Sequence, residues 1–390
     1  MQFGKLQSEH AFPDGIPVDL FSRLRNRKIY AILYAYYYVS TARKVSAMEK
    51  ILSVIIPYYN CERFLHKGIP TFLDPAVLDY LDIIIVNDGS KDTTAEVAEG
   101  YCSRYPGSIR LISQENKGHG GALNTGFDAA VGKYLRVVDA DDWVETKNLA
   151  PFVEFLKNCD SDVVLTDYDT VDISTGEVRV RHMPPETAGS NLTLGQLMED
   201  RVNNEPILAL HGITYRTDFY RKHGIRLSEH VFYEDVEYTT IPCCFAKSLT
   251  PAGLLIYHYR VGDVEQSVSD VNQLKRLGHV ETVMNRLIRE YGSIQASLDP
   301  GQDRFYCTKT RSLLLRYVSN VLLLEPDRRK GRAMAAQRMS QFRQQMPKVY
   351  EMVRKQYLLL LTLNCLHISK AKWDGFLESD FYRKLRKKRY

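Results

Sequence analysis

From Ile51 onward, short apolar runs and helical patterns alternate along the chain. Ile51-Leu52-Ser53-Val54-Ile55-Ile56-Pro57 is β-branched and stopped by proline, which predicts a buried strand. A helical pattern follows from Glu62 to about Leu73. Leu81-Asp82-Ile83-Ile84-Ile85-Val86 predicts a second strand, about Thr93 to Tyr105 a helix, and Ile109 to Ser113 a third strand. About Gly121 to Ala130 reads as a helix, and Tyr134 to Val138 as a strand leading into Asp139-Ala140-Asp141-Asp142. Continuously apolar strands separated by helices predict an α/β fold, a mostly parallel sheet covered on both faces. From Val163 the pattern becomes α+β, with a hairpin at Ser174-Thr175-Gly176 and a loop over Pro184 to Gly189. From Val271 the periodicity is helical. The expected organisation is an N-terminal helical and basic extension over 1–50, a sheet domain over 51–270, and a helical C-terminal region with a basic tail over 271–390.

Ligands of open parallel sheets sit beyond the carboxyl ends of the strands. Three such ends carry polar residues: Tyr58-Tyr59-Asn60, Asn87-Asp88-Gly89-Ser90, and Asp139 to Asp142. That convergence predicts a nucleotide site. Three carboxylates delivered onto one turn repel one another, and a hard divalent cation with oxygen ligands, Mn²⁺ or Mg²⁺, offsets the repulsion. The other reading is a solvated turn that caps the next helix through Asp141 or Asp142.

Composition narrows the class. The 390 residues are 44% hydrophobic and 25% charged, ordinary globular values. A net charge of +5 without a nucleic-acid motif argues against a nucleic-acid partner. The basic residues gather at the ends, in Arg23-Leu24-Arg25-Asn26-Arg27-Lys28 and in Arg383 to Arg389, which reads equally as peripheral contact with an anionic membrane through the termini or as a pair of solvated, frayed ends. Ile29–Val39 and Tyr357–Leu366 are apolar but fall short of the roughly 20 residues a span needs. The seven cysteines show no metal spacing and read as reduced thiols. No charged-then-apolar leader opens the chain. The expected location is cytoplasmic, at the inner face of the cell membrane.

Six motifs in this order resemble the family 2 glycosyltransferases, inverting enzymes of GT-A fold with a Rossmann-like nucleotide-binding sheet. They are Val54 to Asn60, Val86 to Asp92, Asn116 to Gly126, Asp139-Ala140-Asp141 (the family's DxD), Phe232 to Tyr238, and Tyr257 to Ser269. The resemblance covers about residues 51 to 269. It implies a metal-dependent transfer of a sugar from a nucleotide diphosphate, UDP first among the carriers, to a hydroxyl of a cell-envelope glycan or lipid-linked acceptor. Pro57, Tyr59, Asp88, Asn116, Gly118, Asp139, Ala140 and Arg260 would then bind the donor. Asp88 would meet the base or ribose, and Arg260 the diphosphate. Asp141, with Asp139 and His258, would hold the metal. Asp235 would be the general base; Glu234 is its neighbour, and Glu237 shares its side only in a strand. His119 would face the donor sugar or the acceptor.

Two other functions fit parts of the pattern. A sugar-nucleotide pyrophosphorylase also uses such a sheet with Mg²⁺, but it wants a glycine-rich first loop where this chain has Pro57-Tyr58-Tyr59-Asn60. A catalytically inactive, membrane-associated binding protein would not need Asp88, Asp139, Asp141 and Asp235 together.

Overall fold

A computed structural model describes residues 49–199, 208–262 and 270–378. The N-terminal helical extension with its basic run, the end of the last motif after Gly262, and the basic tail lie outside the described residues. From Lys50 onward the contacts form one compact unit.

The elements, in chain order, are β1 (Leu52–Tyr58), α1 (Glu62–Gly68), β2 (Leu81–Asn87), α2 (Thr94–Arg104), β3 (Ile109–Ser113), α3 (Gly118–Ala129), β4 (Tyr134–Val137), β5 (Trp143–Val144), α4 (Leu149–Lys157), β6 (Val163–Asp172), β7 (Val178–Arg181) and α5 (Leu194–Glu199). Then come β8 (Ile213–Arg216), α6 (Thr217–Lys222), α7 (Glu234–Phe245), β9 (Leu249–Val261), α8 (Asp270–Lys275), α9 (Leu277–Ile294), α10 (Pro300–Leu323), α11 (Arg328–Gln345), α12 (Pro347–Cys365) and α13 (Lys370–Glu378). The expected α/β class and helical C-terminal region are both present. The first helix ends earlier than its pattern suggested: Pro70 cannot donate to a helical ladder, and a 3₁₀ turn over Ile69–Phe72 replaces the last part. The helix after β3 begins three residues early and takes in the glycine-rich segment.

The sheet order is β3-β2-β1-β4-β8-β6-β9-β5, with β7 on β6. β1 pairs in parallel with both β2 and β4. The chain thus runs outward from β1 to β3 and then returns to the other side of β1. The strand order reverses there, which opens a crevice at the carboxyl ends of β1 and β4. Neighbouring side chains on each strand go to opposite faces. Ile55, Ile84, Val86 and Leu135 join one apolar cluster, and Val54, Ile83, Ile85 and Tyr134 the other. The first cluster continues through α7 into α9, α10, α11 and α12, so the change to helical sequence near residue 270 is not a break in the core.

One buried ion pair ties α9 of the helical region to α7 and the loop before it. Glu237 is fully buried and accepts from Arg286 Nη1 at 3.0 Å, from Ser228 N at 2.8 Å and from Ser228 Oγ at 2.7 Å. Removing one partner of such a pair strands the other charge. Arg286→Ala is expected to cost about 3 kcal/mol, read as a lower midpoint in denaturant titration. Glu237→Gln leaves the Arg286 guanidinium without its anion but keeps an acceptor for it and for Ser228 N, and should cost less because Arg286 retains some solvent contact.

Candidate active site

The carboxyl ends of β1, β2 and β4 open into a cleft of about 630 Å³. Pro57, Tyr59, Asp88, Asn116, Gly118, Asp139, Ala140 and Asp141, all singled out in the sequence, line it. His119, Phe64, Phe232 and Glu234 complete the part used below.

At the β2 end, Asp88 is buried and fixed. Its N–H donates to Tyr58 O at 2.8 Å, and its Oδ1 accepts from Gln114 Nε2 at 2.7 Å and from Lys117 N at 2.9 Å. Asn116 Nδ2 donates to Asp88 O at 2.9 Å, so three strand ends are held in one arrangement.

At the β4 end the acidic turn is closed by Asp142 N donating to Asp139 O at 3.1 Å. β9 grips it. Tyr257 donates its hydroxyl hydrogen to Asp142 Oδ2, and Arg260 N donates to Asp142 Oδ1 at 2.7 Å. Asp142 therefore makes no cap on the following 3₁₀ turn, whose preceding residue Glu145 has no side-chain cap bond. Burial and the charges of Asp139 and Asp141 push the Asp142 carboxyl well above its usual range. Burial would raise Asp139 too, but the hydrogen bond and charge of His119 outweigh it and hold Asp139 low.

His119 joins two sides of the cleft. Its Nε2 lies 3.0 Å from Asp139 Oδ1 and its Nδ1 2.6 Å from Glu234 Oε1. Burial disfavours the charged ring, but the two carboxylates outweigh it and raise the imidazole well above its normal value. The geometry depends on close backbone approach. Gly118 has φ +75°, and a Cβ on Gly120 would lie 2.3 Å from Ser228 O. Gly120→Ala should push α3 away from the 228–230 segment and separate His119 from Glu234. The expected result is a loss of about 1–3 kcal/mol in stability and at least a tenfold fall in any turnover, measured by denaturation and a donor-consumption assay.

Tyr233, a non-glycine residue at φ 74°, turns the chain sharply into α7. Strain of this kind persists where the surroundings over-determine it. Here Phe232 N donates to His279 Nδ1 at 3.1 Å, and the Arg316 guanidinium lies 5.3 Å over the Tyr233 ring. Glu234, Asp235 and Glu237 fall in the first helical turn, so Glu237 points to Arg286 and not beside Asp235. Glu234 is 5% exposed and turned into the cleft, with Oε2 buried and lacking a hydrogen-bond partner among the described residues. Asp235 does not line the cleft, and its side is open to solvent. Surrounding protein and the neighbouring Glu234 charge nevertheless push its carboxyl up to about 6.

His258 and Arg260 also stand outside the cleft lining. His258 Nδ1 is 2.8 Å from Asp169 Oδ1 on β6, and its ring stacks on Trp143. The Arg260 guanidinium lies 4.8 Å over Phe64, which does line the cleft. The histidine brought to the acidic turn is His211. Asp139, Asp142 and His211 each present a ligand atom, all within 4.8 Å of one another. His211 Nδ1 is buried with no hydrogen-bond partner among the described residues. Burial lowers its imidazole to about 4, the pull of Asp139 being opposed by Arg136. A neutral imidazole with an unshared nitrogen next to crowded carboxylates is a donor set that suits a divalent cation. Arg136, buried on β4, fixes the His211 turn: its Nη2 donates to His211 O and its Nη1 to Thr166 Oγ1 and Thr214 Oγ1. Sequence reasoning missed His211 and Arg136. His211 stands in an unremarkable Leu-His-Gly stretch, and only an arginine inside an apolar strand hinted at the second.

The reversed, mostly parallel sheet with an acidic turn at its switch point has the arrangement of a GT-A fold. Residues 53–224 match the model of Glycosyl transferase family 2, so this part of the chain is similar to that family. It is 29% identical over 191 residues to the uncharacterized glycosyltransferase EpsJ of Bacillus subtilis (strain 168), covering 49% of this chain and 54% of EpsJ. It is 32% identical over 196 residues to the uncharacterized glycosyltransferase YibD of Escherichia coli (strain K12), 48% of this chain and 55% of YibD. The cholesterol galactosyltransferase of Borreliella burgdorferi is 27% identical over 247 residues, 60% of this chain and 68% of that protein. The chain spans about half the length of the first of these relatives. In fold it is similar to the crystal structure of S. aureus TarS 1-349, with a TM-score of 0.54 at 17% identity, over 83% of this chain and 92% of that one.

Proposed function

We propose that this chain moves a sugar from a nucleoside diphosphate, UDP first among the candidates, onto a hydroxyl of a glycan or lipid-linked acceptor, with inversion. One observation carries the reading: Asp88, the acidic turn and the Glu234–His119 pair face a single cleft at the switch point of a sheet whose residues 53–224 match the family 2 model. The glycosyltransferase names of the relatives support the reaction class, and the cholesterol galactosyltransferase is compatible with a lipid acceptor.

In this reading Asp88 and Asn116 hold the base and ribose, Tyr59 stacks against the base, and Pro57, Gly118 and Ala140 shape the wall. Arg260 approaches the diphosphate from over Phe64. Asp139, Asp142 and His211 are the set best suited to Mn²⁺ or Mg²⁺, with Asp141 in the cleft beside them; His258 would need to leave Asp169 to join. A bound divalent cation would supply charge neutralisation for the departing diphosphate. Asp235 takes the acceptor proton as the acceptor oxygen bonds to the anomeric carbon, and the bond from that carbon to the diphosphate oxygen breaks on the opposite face. Glu234 is the second reading for the base, because it lines the cleft. Its Oε1 is already committed to a cationic His119, which favours Asp235 for the proton and leaves Glu234 Oε2 for a sugar hydroxyl.

The test is a panel of UDP-, GDP- and CDP-sugars with Mn²⁺, followed by NMR of the released sugar or product. Consumption of one donor with an inverted anomeric centre is expected. A retained centre would overturn the inverting step. A folded protein that consumes and binds none of them would overturn the transferase reading.

A further inference from the structure

Charge is strongly segregated along this chain. Residues 328–390 hold seventeen Lys and Arg against four Asp and Glu, a net +13, whereas the whole chain carries +5. Within that stretch α12 has two unlike faces. Val349, Val353, Leu360 and Leu363 face the core. Lys355, Leu358, Leu359, Thr362 and Leu366 recur at spacings of three and four and fall on the opposite side. Leu358, Leu359 and Leu366 are 52%, 46% and 65% exposed, the only large exposed leucines among the described residues. Arg354 and Lys355 stand exposed one turn before them, and Lys372 on α13 is exposed beyond.

We propose that the outer face of α12 docks on an anionic bilayer, with Leu358, Leu359 and Leu366 entering the acyl boundary and the basic residues meeting the headgroups. Apolar residues on one stripe with cations at its margins are what an interfacial helix needs. Among the described residues no helix is long and apolar enough to cross a membrane, so the contact lies in the plane of the surface. A second copy of the chain is the poorer occupant, because face to face it would set Arg354 and Lys355 against their own counterparts. A soluble polyanion would leave the leucines in water. The proposal does not depend on the transferase reading, and its test needs no donor or acceptor.

The experiment is flotation of the full chain with phosphatidylcholine vesicles and with vesicles containing about 30% phosphatidylglycerol. Partition at least tenfold stronger on the anionic vesicles is expected, weakening at high salt. The Leu358→Gln/Leu359→Gln/Leu366→Gln variant changes only exposed side chains and should keep the wild-type melting temperature while losing about tenfold or more of the binding. Arg354→Glu/Lys355→Glu should lose binding with the leucines intact. Equal binding to both vesicle types, no binding, or full binding by the leucine variant would each overturn the proposal. So would a dimer in light scattering that the leucine variant dissociates, since the face would then belong to a second copy.

Discussion

Asp235→Asn is expected to lower kcat by about a thousandfold, the middle of the range for loss of a general base, while nucleotide binding stays within about twofold of wild type. The argument is chemical. A base must be deprotonated at the working pH and still want a proton, and a carboxyl pushed up to about 6 meets both conditions. Deprotonation is complete only above that value, so kcat/KM should climb through about pH 6 and then level. Glu234→Gln should behave differently. It breaks the bond from His119 Nδ1 to a carboxylate and takes away the charge that helps lift Asp235, raising donor or acceptor KM and moving the acid limb to lower pH without abolishing it. If Glu234→Gln abolished the limb and Asp235→Asn left it in place, the two roles would be exchanged. The raised value also has a sign for stability. The folded state holds this proton more tightly than the unfolded chain, so the contribution is fully present below the ordinary 3.8 and is lost as pH rises through about 6. The pH at which Asp235 becomes a base is thus the pH at which it ceases to favour folding. Active sites that accumulate like charges, here Glu234 beside Asp235, carry this opposition.

How far the sequence reaches is clear from the same residues. The strand ends were legible because β1, β2 and β4 are short, continuously apolar and terminated by polar clusters; seven of the eight residues expected to bind the donor line the cleft, together with Asp141, whereas Arg260 stands outside it. Glu234 and Asp235 were recognisable as a pair, but which one enters the cleft depends on Tyr233 at positive φ, a backbone choice with no glycine to announce it. His258 and His211 show the opposite limit. Both stand near aromatic residues, and local sequence favours the first, which follows the closing motif's tyrosine. The pairing of β9 with β6 brings His258 to Asp169, while a 3₁₀ turn over Leu210–Gly212 delivers His211 to the acids. Long-range register decides between them, and periodicity carries no information about register between strands far apart in the chain. The helical region illustrates a third limit. A change from alternating to helical pattern at about 270 suggests a boundary, yet the apolar faces of α9 and α10 pack into the same core as α7.

Calorimetry with UDP, GDP and CDP should find one nucleotide whose affinity rises at least tenfold with Mn²⁺, and Asp141→Ala or Asp139→Ala should remove that gain. Each variant takes one carboxylate from the cation's surroundings, and the crowding that lifts Asp142 is relieved when either neighbour goes. The histidine comparison separates the two ligand sets. His211→Ala should reduce the Mn²⁺-dependent gain about 10- to 100-fold, the loss expected when a ligand or its immediate support is removed, because its Nδ1 has no other duty among the described residues. His258→Ala should leave the gain nearly intact and instead cost stability, since Asp169 would lose its 2.8 Å partner inside the sheet. The reverse outcome would restore His258 with Asp141 as the metal set and make His211 a packing residue stacked on Tyr259 at 4.0 Å. Arg136→Met supplies a further check. It removes the donor to the His211 carbonyl without touching any carboxylate, so a fall in metal-dependent binding with metal-independent binding unchanged would trace the loss to the position of the His211 turn.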